Sequence, residues 1–247
     1  MAKKRISDVL IEVLANAGIE RIYGITGDSL NSVNDSLRRN GKIQFEHVRH
    51  EESAAFAAGA EALLTGKLTV CAGSSGPGNL HLINGLFDCH RNRVPVLAIA
   101  SHIPQSEVGL NYFQETHPEN LFKECSCFCE LVSNPKQMPE ILFRAMNAAV
   151  GNRDVAVIVL PGDVAVMETE IDELPTWHAP KLPRVIPQSE DILEMVQHIT
   201  NGKRITLFCG AGCAGAHDEV VELAAKLQAP VVHAFRGKEW VEWDNPY

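Results

Sequence analysis

Four short segments carry the residue types best suited to chemistry, and each is predicted to follow a strand. They are residues 24–29, 49–52, 73–79 and 112–115. Open parallel sheets bind ligands at the carboxyl ends of their strands. Three of the segments lead directly into a predicted helix, so free backbone N–H groups face whatever binds there. The pattern predicts one site built from loops at a single edge of a sheet.

Glu51 is the candidate catalytic carboxylate. It begins an Ala-rich helix predicted over residues 51–64. A carboxylate at a helix N-terminus is a favourable surface arrangement worth a few tenths to about 1 kcal/mol. That explanation fits Glu51 and Glu52 equally, and the alternative is a functional carboxylate held in an apolar cleft. The local sequence leaves both interpretations open.

The loop over residues 73–79 contains three glycines and Pro77 between a buried strand and a helix. Glycines permit close approach of the backbone to a ligand, although a tight strand-to-helix turn with no ligand gives the same pattern. The loop lacks the Gly-Lys-Ser/Thr ending of a phosphate-binding P-loop. Phosphate binding is therefore not predicted here.

A second glycine-rich turn, residues 210–215, matches Gly-x-Gly-x-x-Gly. Alone this is a weak dinucleotide signal. The acidic residue expected near the end of the next strand is replaced by Val231, Val232, His233 and Ala234, so classical NAD binding is disfavoured.

Cysteines and histidines give no metal-site spacing. Cys125, Cys127 and Cys129 alternate, so a strand would place all three on one face. Structural zinc sites usually start from Cys-x₂₋₄-Cys pairs and need four ligands, which makes a row of free thiols the better interpretation. The histidines are scattered, and none is predicted to ligate a metal: His50, His81, His90 and His102.

The alternation of apolar runs and amphipathic segments predicts an α/β protein whose parallel sheet has helices on both faces. Strands are predicted over residues 21–25, 67–72, 94–100 and 155–160, and helices over 7–16 (with Ser7 as N-cap), 29–40, 51–64, 80–89 and 137–151. Four prolines within residues 174–187 mark a linker. A second, truncated α/β domain follows, with helices over 189–200 and 218–228 and strands over 204–209 and 230–234.

The composition of the chain argues against some classes of binding partner. The 247 residues carry a formal net charge of −9, which argues against a nucleic acid or an anionic membrane surface as partner. No apolar run reaches the roughly 20 residues of a membrane span. Seven cysteines without framework spacing indicate free thiols and a cytoplasmic location.

Taken together, the segments resemble one enzyme family. The ordered set is Gly-Ile-Thr-Gly-Asp-Ser-Leu-Asn (24–31), Arg-His-Glu-Glu-x-Ala-Ala-Phe-Ala-Ala-Gly-Ala (49–60), Gly-Pro-Gly-Asn-Leu-His (76–81), Tyr-Phe-Gln-Glu-Thr (112–116) and Leu-Pro-Gly-Asp-Val (160–164). It is similar to the pyrimidine-binding domain of thiamine-diphosphate decarboxylases and oxidases. Residues 84–92, 209–217 and 236–239 extend the resemblance over essentially the whole chain, toward the quinone-linked pyruvate oxidases.

The resemblance implies a domain order. Residues 1–183 correspond to the pyrimidine-binding domain and residues 184–247 to the start of a central FAD-binding domain. A third, diphosphate-binding domain carries a Gly-Asp-Gly…Asn motif for Mg²⁺, and this motif is absent from the sequence. The magnesium ligands are therefore expected outside this chain, as is the amphipathic segment through which such oxidases contact the inner membrane as peripheral proteins.

The resemblance also implies residue roles. Glu51 would hydrogen-bond a ring nitrogen of the thiamine diphosphate pyrimidine. The other residues implied to touch the coenzyme are Gly27, Asp28, Pro77, Asn79 and His81. Phe113 and Gln114 match positions that line the substrate end, where pyruvate is expected, and Gly210 and Gly212 match positions near FAD. The implied reaction converts pyruvate to acetate and CO₂ and passes electrons to a quinone.

Two alternatives remain open on the sequence. One is an acetolactate-forming carboligase, although such relatives tend to have Pro where this chain has Thr26 and Asn where it has His81. The other is a catalytically silent dimer that keeps only the fold. Family active sites form between subunits, so the chain is expected to self-associate as a homodimer or homotetramer and to be inactive alone.

Overall fold

The computed structural model describes residues 2–171, 174, 176–181 and 183–247. The chain divides into two compact units, Met1–Leu182 and Pro183–Tyr247, one residue from the predicted domain boundary. Within the predicted linker, the described residues form neither helix nor strand. Pro175 of that linker lies outside the described residues.

The first unit alternates strands and helices along most of its length. In chain order its elements are β1 (Ala2–Arg5), α1 (Ile6–Asn16), β2 (Arg21–Gly24), α2 (Asn31–Asn40), β3 (Gln44–His47), α3 (Glu51–Thr65), β4 (Thr69–Gly73), α4 (Pro77–Asn92), β5 (Val96–His102), α5 (Pro118–Leu121), β6 (Phe128–Leu131), α6 (Met138–Asn152), β7 (Val155–Pro161), α7 (Gly162–Val166) and β8 (Glu168–Ile171).

Six of these strands form one parallel sheet in the order β3-β2-β4-β5-β7-β6. The predicted α/β class is confirmed. From β2 the chain crosses outward to β3 and then returns to form β4 on the other side of β2. This reversal is a topological switch point, where open α/β sheets leave a crevice beyond the carboxyl ends of the strands. β1 and β8 form a separate antiparallel pair.

Each face of the sheet has its own core because strand side chains alternate. In β5, Leu97 and Ile99 pack with α1, α2 and α6, whereas Val96, Ala98 and Ala100 pack with α3 and α4. All seven residues of β5 and of β7 are buried. Strands covered on both faces have continuous apolar sequences, which is why β4, β5 and β7 were predicted within about two residues.

Helices α3 and α4 pack unusually closely through small residues. A Cβ atom added at Gly85 of α4 would lie 2.6 Å from the Cβ of Ala55 and 2.7 Å from the carbonyl oxygen of Glu52. A Cβ at Gly59 of α3 would lie 2.6 Å from the Sγ of Cys89. One face of the Ala-rich helix is therefore buried against its neighbour, as its composition predicted, while Phe56, Leu63 and Leu64 on its other side are exposed.

Several local predictions were wrong. Ser7 is not an N-cap, because α1 begins one residue earlier and Ser7 is buried as the acceptor of a hydrogen bond from the Ser36 hydroxyl. α4 begins at Pro77 rather than at residue 80, since proline suits the first turn of a helix. The cysteine row does not lie on one strand, because β6 starts after Cys127.

The second unit is a smaller α/β body. Its elements are α8 (Ser189–Asn201), β9 (Leu207–Cys209), α9 (His217–Leu227), β10 (Val231–His233) and α10 (Lys238–Val241). β9 and β10 pair in parallel. The predicted helices and strands are all present, with each strand shorter than predicted.

Candidate functional site

Glu51 lies at the switch point, as the first residue of α3 and directly beyond β3. It is 6% exposed, so its carboxylate is buried. The helix begins here because His50, in extended conformation, caps it: the Nδ1 atom of His50 accepts a hydrogen bond from the backbone N–H of Glu52 at 3.3 Å. The surface interpretation therefore fits Glu52, whose side chain bonds Asn84 on the exterior, and not Glu51.

His81 is the direct partner of Glu51. Its Nδ1 lies 2.9 Å from the Oε2 atom of Glu51, and its ring stacks on His50 with centroids 4.2 Å apart. His81 is on α4 and the other two residues are at the start of α3, so the close contact between the two helices brings them together. Glu51 and His81 are 30 residues apart in the sequence, so their contact could not be predicted from local patterns. Gly85 and the alanines of α3 were the sequence signals of close packing between the two helices.

The glycine-rich loop lies against the same carboxylate. A Cβ at Gly78 would lie 3.2 Å from the Oε1 atom of Glu51 and 2.8 Å from the Ser74 hydroxyl. Gly76 has φ +68°, a conformation that favours glycine, and a Cβ there would lie 2.8 Å from Gln114. Pro77 then starts α4 at the rim of the site. Close contacts with other residues of the protein therefore account for these glycines. The missing side chain of Gly78 also leaves space beside the Oε1 atom of Glu51.

A set of hydrogen bonds ties the loops after β2 and β4 to the strand β5, and Ser29 is its centre. The hydroxyl of Ser29 accepts a bond from the backbone N–H of Ser75 at 2.9 Å, and its carbonyl oxygen accepts one from the Ser101 hydroxyl at 2.6 Å. Asn79 is fully buried and its Nδ2 donates to the carbonyl oxygen of Ser101 at 2.7 Å. The Asn79 side chain thus anchors α4 to β5, and sequence reasoning missed the roles of Ser29 and Ser101.

The segment before Pro118 forms one wall of an adjoining cleft of about 310 Å³. Phe113 is 78% exposed, and Gln114 has φ +63° with its Oε1 3.5 Å from the Ser75 hydroxyl. Both line the cleft, as does the exposed carboxylate of Asp28. Gly27 packs against Ser74, where a Cβ would lie 2.6 Å from the Ser74 Cβ.

Two charged or polar groups near this cleft have shifted pKa values. Burial lowers the pKa of His102, whose Nδ1 has no hydrogen-bond partner among the described residues. Backbone N–H groups of Gly109 and Tyr112 donate to Glu115 and lower the pKa of its carboxyl. An anionic Glu115 therefore pins the loop that carries Phe113 and Gln114.

The structure brings together only part of the predicted set. Glu51, Gly27, Pro77, Asn79, His81 and Gln114 belong to connected loops of the first unit. Gly210 and Gly212 belong to the second unit, in the turn after β9, where an added Cβ would meet no atom within 4 Å at either position. Among the described residues, no helix is long and apolar enough to cross a membrane.

Two family models match the chain. Residues 4–121 match "Thiamine pyrophosphate enzyme, N-terminal TPP binding domain", and residues 192–247 match "Thiamine pyrophosphate enzyme, central domain". The chain carries the N-terminal coenzyme-binding and central domains of thiamine pyrophosphate enzymes. The first match covers Glu51, the glycine-rich loop and the segment with Phe113 and Gln114, and the second covers Gly210 and Gly212.

Curated relatives of this chain are longer than it. It is 60% identical over its whole length to an uncharacterized 42.6 kDa protein of Pseudomonas amyloderamosa, of which it covers 63%. It is 31% identical over 93% of its length to a pyruvate oxidase of Lactiplantibacillus plantarum and 32% identical over 99% to an acetolactate synthase of Arthrospira platensis. The chain spans 38% and 44% of these two enzymes.

The residues around Glu51 fit the ring of the coenzyme that names the family. The buried carboxylate has one oxygen bonded to His81, and its other oxygen, Oε1, faces the side of Gly78 that carries no side chain. A flat ring with a hydrogen-bonding nitrogen can pair with such an acceptor, and the missing side chain of Gly78 leaves room for the ring beside it. When bound, thiamine diphosphate supplies an electron-accepting centre for cleaving bonds next to a ketone.

Proposed function

We propose that the whole protein is a thiamine-diphosphate flavoenzyme that oxidatively decarboxylates pyruvate to acetate and CO₂ and passes the electrons to a quinone. Glu51 is the catalytic residue in this proposal. Its carboxylate binds the pyrimidine ring nitrogen of the coenzyme and stabilises the ring form that accepts a proton from the reacting carbon. General-base assistance of this kind contributes about 10² to 10⁴ in rate.

The burial of Glu51 is the observation that supports this role most directly. A surface carboxylate at a helix N-terminus would interact with water, whereas Glu51 is 6% exposed and lies against the glycine-rich loop at the switch point. Hydrogen bonds are stronger in a site that excludes water. His81 occupies Oε2, so a ring nitrogen would pair with Oε1.

Fewer observations support the choice of an oxidase over a carboligase than support the role of Glu51. The chain has similar identity to a pyruvate oxidase and to an acetolactate synthase. Thr26 and His81 differ from the Pro and Asn that acetolactate-forming relatives tend to have, and His81 contacts Glu51 itself. These two positions favour the oxidase.

Magnesium and the coenzyme diphosphate require residues that this sequence does not contain. The proposal therefore places them in a diphosphate-binding domain, which the motif Gly-Asp-Gly…Asn would identify and which is absent from residues 1–247. FAD would contact the turn with Gly210 and Gly212. The proposed location is cytoplasmic, with any contact to the inner membrane made by a segment outside this sequence.

Product analysis tests the reaction. The protein with its diphosphate-binding domain, supplied with thiamine diphosphate, Mg²⁺ and FAD, should convert pyruvate to acetate and CO₂ only when a ubiquinone analogue is present. The 247-residue chain alone should release no CO₂. Acetolactate formed without quinone reduction would reject the oxidase in favour of the carboligase.

Substitution of Glu51 tests the catalytic role. Glu51→Gln keeps the shape of the side chain but weakens it as an acceptor, so kcat should fall by about 10²- to 10⁴-fold while FAD stays bound. The matched control is Glu52→Gln, one residue along α3, whose carboxylate bonds Asn84 on the surface. Turnover near normal in Glu51→Gln would remove Glu51 from the mechanism.

A further inference from the structure

His50, Glu51 and His81 together have the donor set of a metal site. Each offers one ligand atom, and these three atoms lie within 4.8 Å of one another. Two imidazoles and one carboxylate form one of the ligand sets that catalytic zinc sites use, with a fourth position left open. Among the described residues, no other group of three or more histidines, cysteines or carboxylates meets this distance.

The Glu51–His81 pair already has nearly the separation that zinc requires. The Oε2 and Nδ1 atoms are 2.9 Å apart. With metal–ligand bonds of about 2.0 to 2.2 Å in tetrahedral geometry, two such ligand atoms lie roughly 3.3 Å apart. An ion can therefore replace the shared proton of this hydrogen bond after a shift of a few tenths of an ångström.

The stacked rings must turn for His50 to join. The lone pair of a ring nitrogen lies in the plane of the ring, and the two planes are now 24° apart at a centroid separation of 4.2 Å. The side chains of His50 and His81 are 46% and 44% exposed, so rotation about their side-chain bonds meets little resistance. Turning His50 also gives up its bond of 3.3 Å from the Glu52 N–H, which water can replace.

Two rigid elements hold the three donors in place. His50 and Glu51 are adjacent at the start of α3, and His81 is in the second turn of α4. The backbones of the two helices are fixed at close range by Gly85. The buried carboxylate of Glu51 is already held in one position. The exposed rings of His50 and His81 can turn to complete the coordination of an ion.

We propose that His50, Glu51 and His81 bind a divalent zinc ion, with the fourth position open to water. The ion would bind Oε2 of Glu51, the oxygen that His81 contacts, and its positive charge would weaken Oε1 of the same carboxylate as an acceptor for the coenzyme ring. Zinc binding itself uses only residues of this chain and does not depend on the proposed reaction.

Calorimetric titration of the metal-free 247-residue chain with ZnCl₂, in a buffer that does not bind metals, tests the site. Saturable binding of one ion per chain is expected. His81→Asn and His50→Gln, both at exposed positions, should each weaken binding by about tenfold or more, since each removes a ligand. Glu51→Gln should do the same.

The matched control is His90→Asn. His90 forms a similar histidine–carboxylate pair, with Nδ1 2.8 Å from the Oδ1 of Asp154, but belongs to no group of three ligands. Its loss should leave zinc affinity unchanged. Unchanged affinity in both His81→Asn and His50→Gln, or the absence of one-to-one binding, would overturn the proposal.

Cobalt provides a second measurement, because cysteines also bind zinc. Co²⁺ added to the chain should give the weak visible bands of nitrogen and oxygen ligands, and His81→Asn should abolish them. An intense thiolate-to-cobalt charge-transfer band that survives in His81→Asn would place the metal on a cysteine such as the exposed Cys127 and reject the site.

Discussion

At the scale of single residues, the site combines one buried acid with partners that were distant in sequence. The sequence identified Glu51 only through its family motif, because the identical local pattern also fits Glu52. The structure separates them: Glu51 points into the crevice and Glu52 to the surface. The partnership of Glu51 with His81 depends on how two helices pack, which no local pattern reports.

His102 gives a prediction about pH. Burial lowers its pKa in the folded protein below the ordinary value of about 6.5, while the nearby acids Glu115 and Glu119 offset part of this effect and His117 adds to it. Below about pH 6.5 the unfolded chain therefore binds a proton that the folded chain does not. The contribution of His102 to the free energy of unfolding should fall as pH drops from about 6.5 toward its folded pKa and be constant above pH 7.

Urea unfolding of the chain and of His102→Gln, followed by circular dichroism at pH 7.5 and pH 5.5, measures this effect. The stability of the native chain relative to the variant should be lower at pH 5.5 than at pH 7.5. A difference that is the same at both pH values, or larger at pH 5.5, would contradict a buried neutral His102.

At the scale of elements, strands that are buried on both faces were predicted from the sequence, and exposed strands were not. β4, β5 and β7 are covered on both faces, and their continuous apolar sequences identified them. β3 was missed because only Phe45 among its four residues is apolar, as is common for a strand at the sheet edge. β1 and β8 are short, polar and paired only with each other, so they left no recognisable alternation.

The contact between α3 and α4 gives a prediction about stability. Gly85→Ala adds a methyl group 2.6 Å from the Cβ of Ala55 and 2.7 Å from a backbone oxygen, so the helices must separate. We expect a loss of roughly 1–3 kcal/mol in the free energy of unfolding, despite a gain of up to about 1 kcal/mol in helix propensity.

The control for this prediction is Gly151→Ala in α6, where an added Cβ meets no atom within 4 Å. This variant should be as stable as the native chain or slightly more stable, because only the propensity gain remains. Equal effects of the two substitutions in chemical unfolding would show that α3 and α4 tolerate separation.

At the scale of the whole molecule, α3 and α4 leave an apolar surface uncovered. Its exposed members are Phe56, Leu63, Leu64 and Leu80. Large exposed apolar surface marks interaction sites on soluble proteins. We therefore expect the chain to form a homodimer through this surface, or a homotetramer that includes it.

Leu64→Glu tests the assembly. Leu64 is 85% exposed, so a charge there leaves the folded chain intact but would be buried without a partner at the interface. Sedimentation should show a weaker dimer by at least tenfold in dissociation constant. Met167→Glu, at an exposed apolar position away from α3 and α4, is the control, and a native chain that sediments only as a monomer would contradict the surface.

The hydrogen bonds centred on Ser29 have a consequence for how a molecule reaches Glu51. Ser29, in the loop after β2, bonds both the loop after β4 and the strand β5, so neither loop can swing outward without breaking a hydrogen bond. These loops therefore form a fixed wall of the crevice, and the segment of Tyr112, Phe113 and Gln114 forms another side, bonded to Glu115 and in contact with Ser75 and Gly76. In this architecture selectivity toward a bound molecule would depend on the exposed side chains of that segment, while the wall of bonded loops holds Glu51 in one orientation.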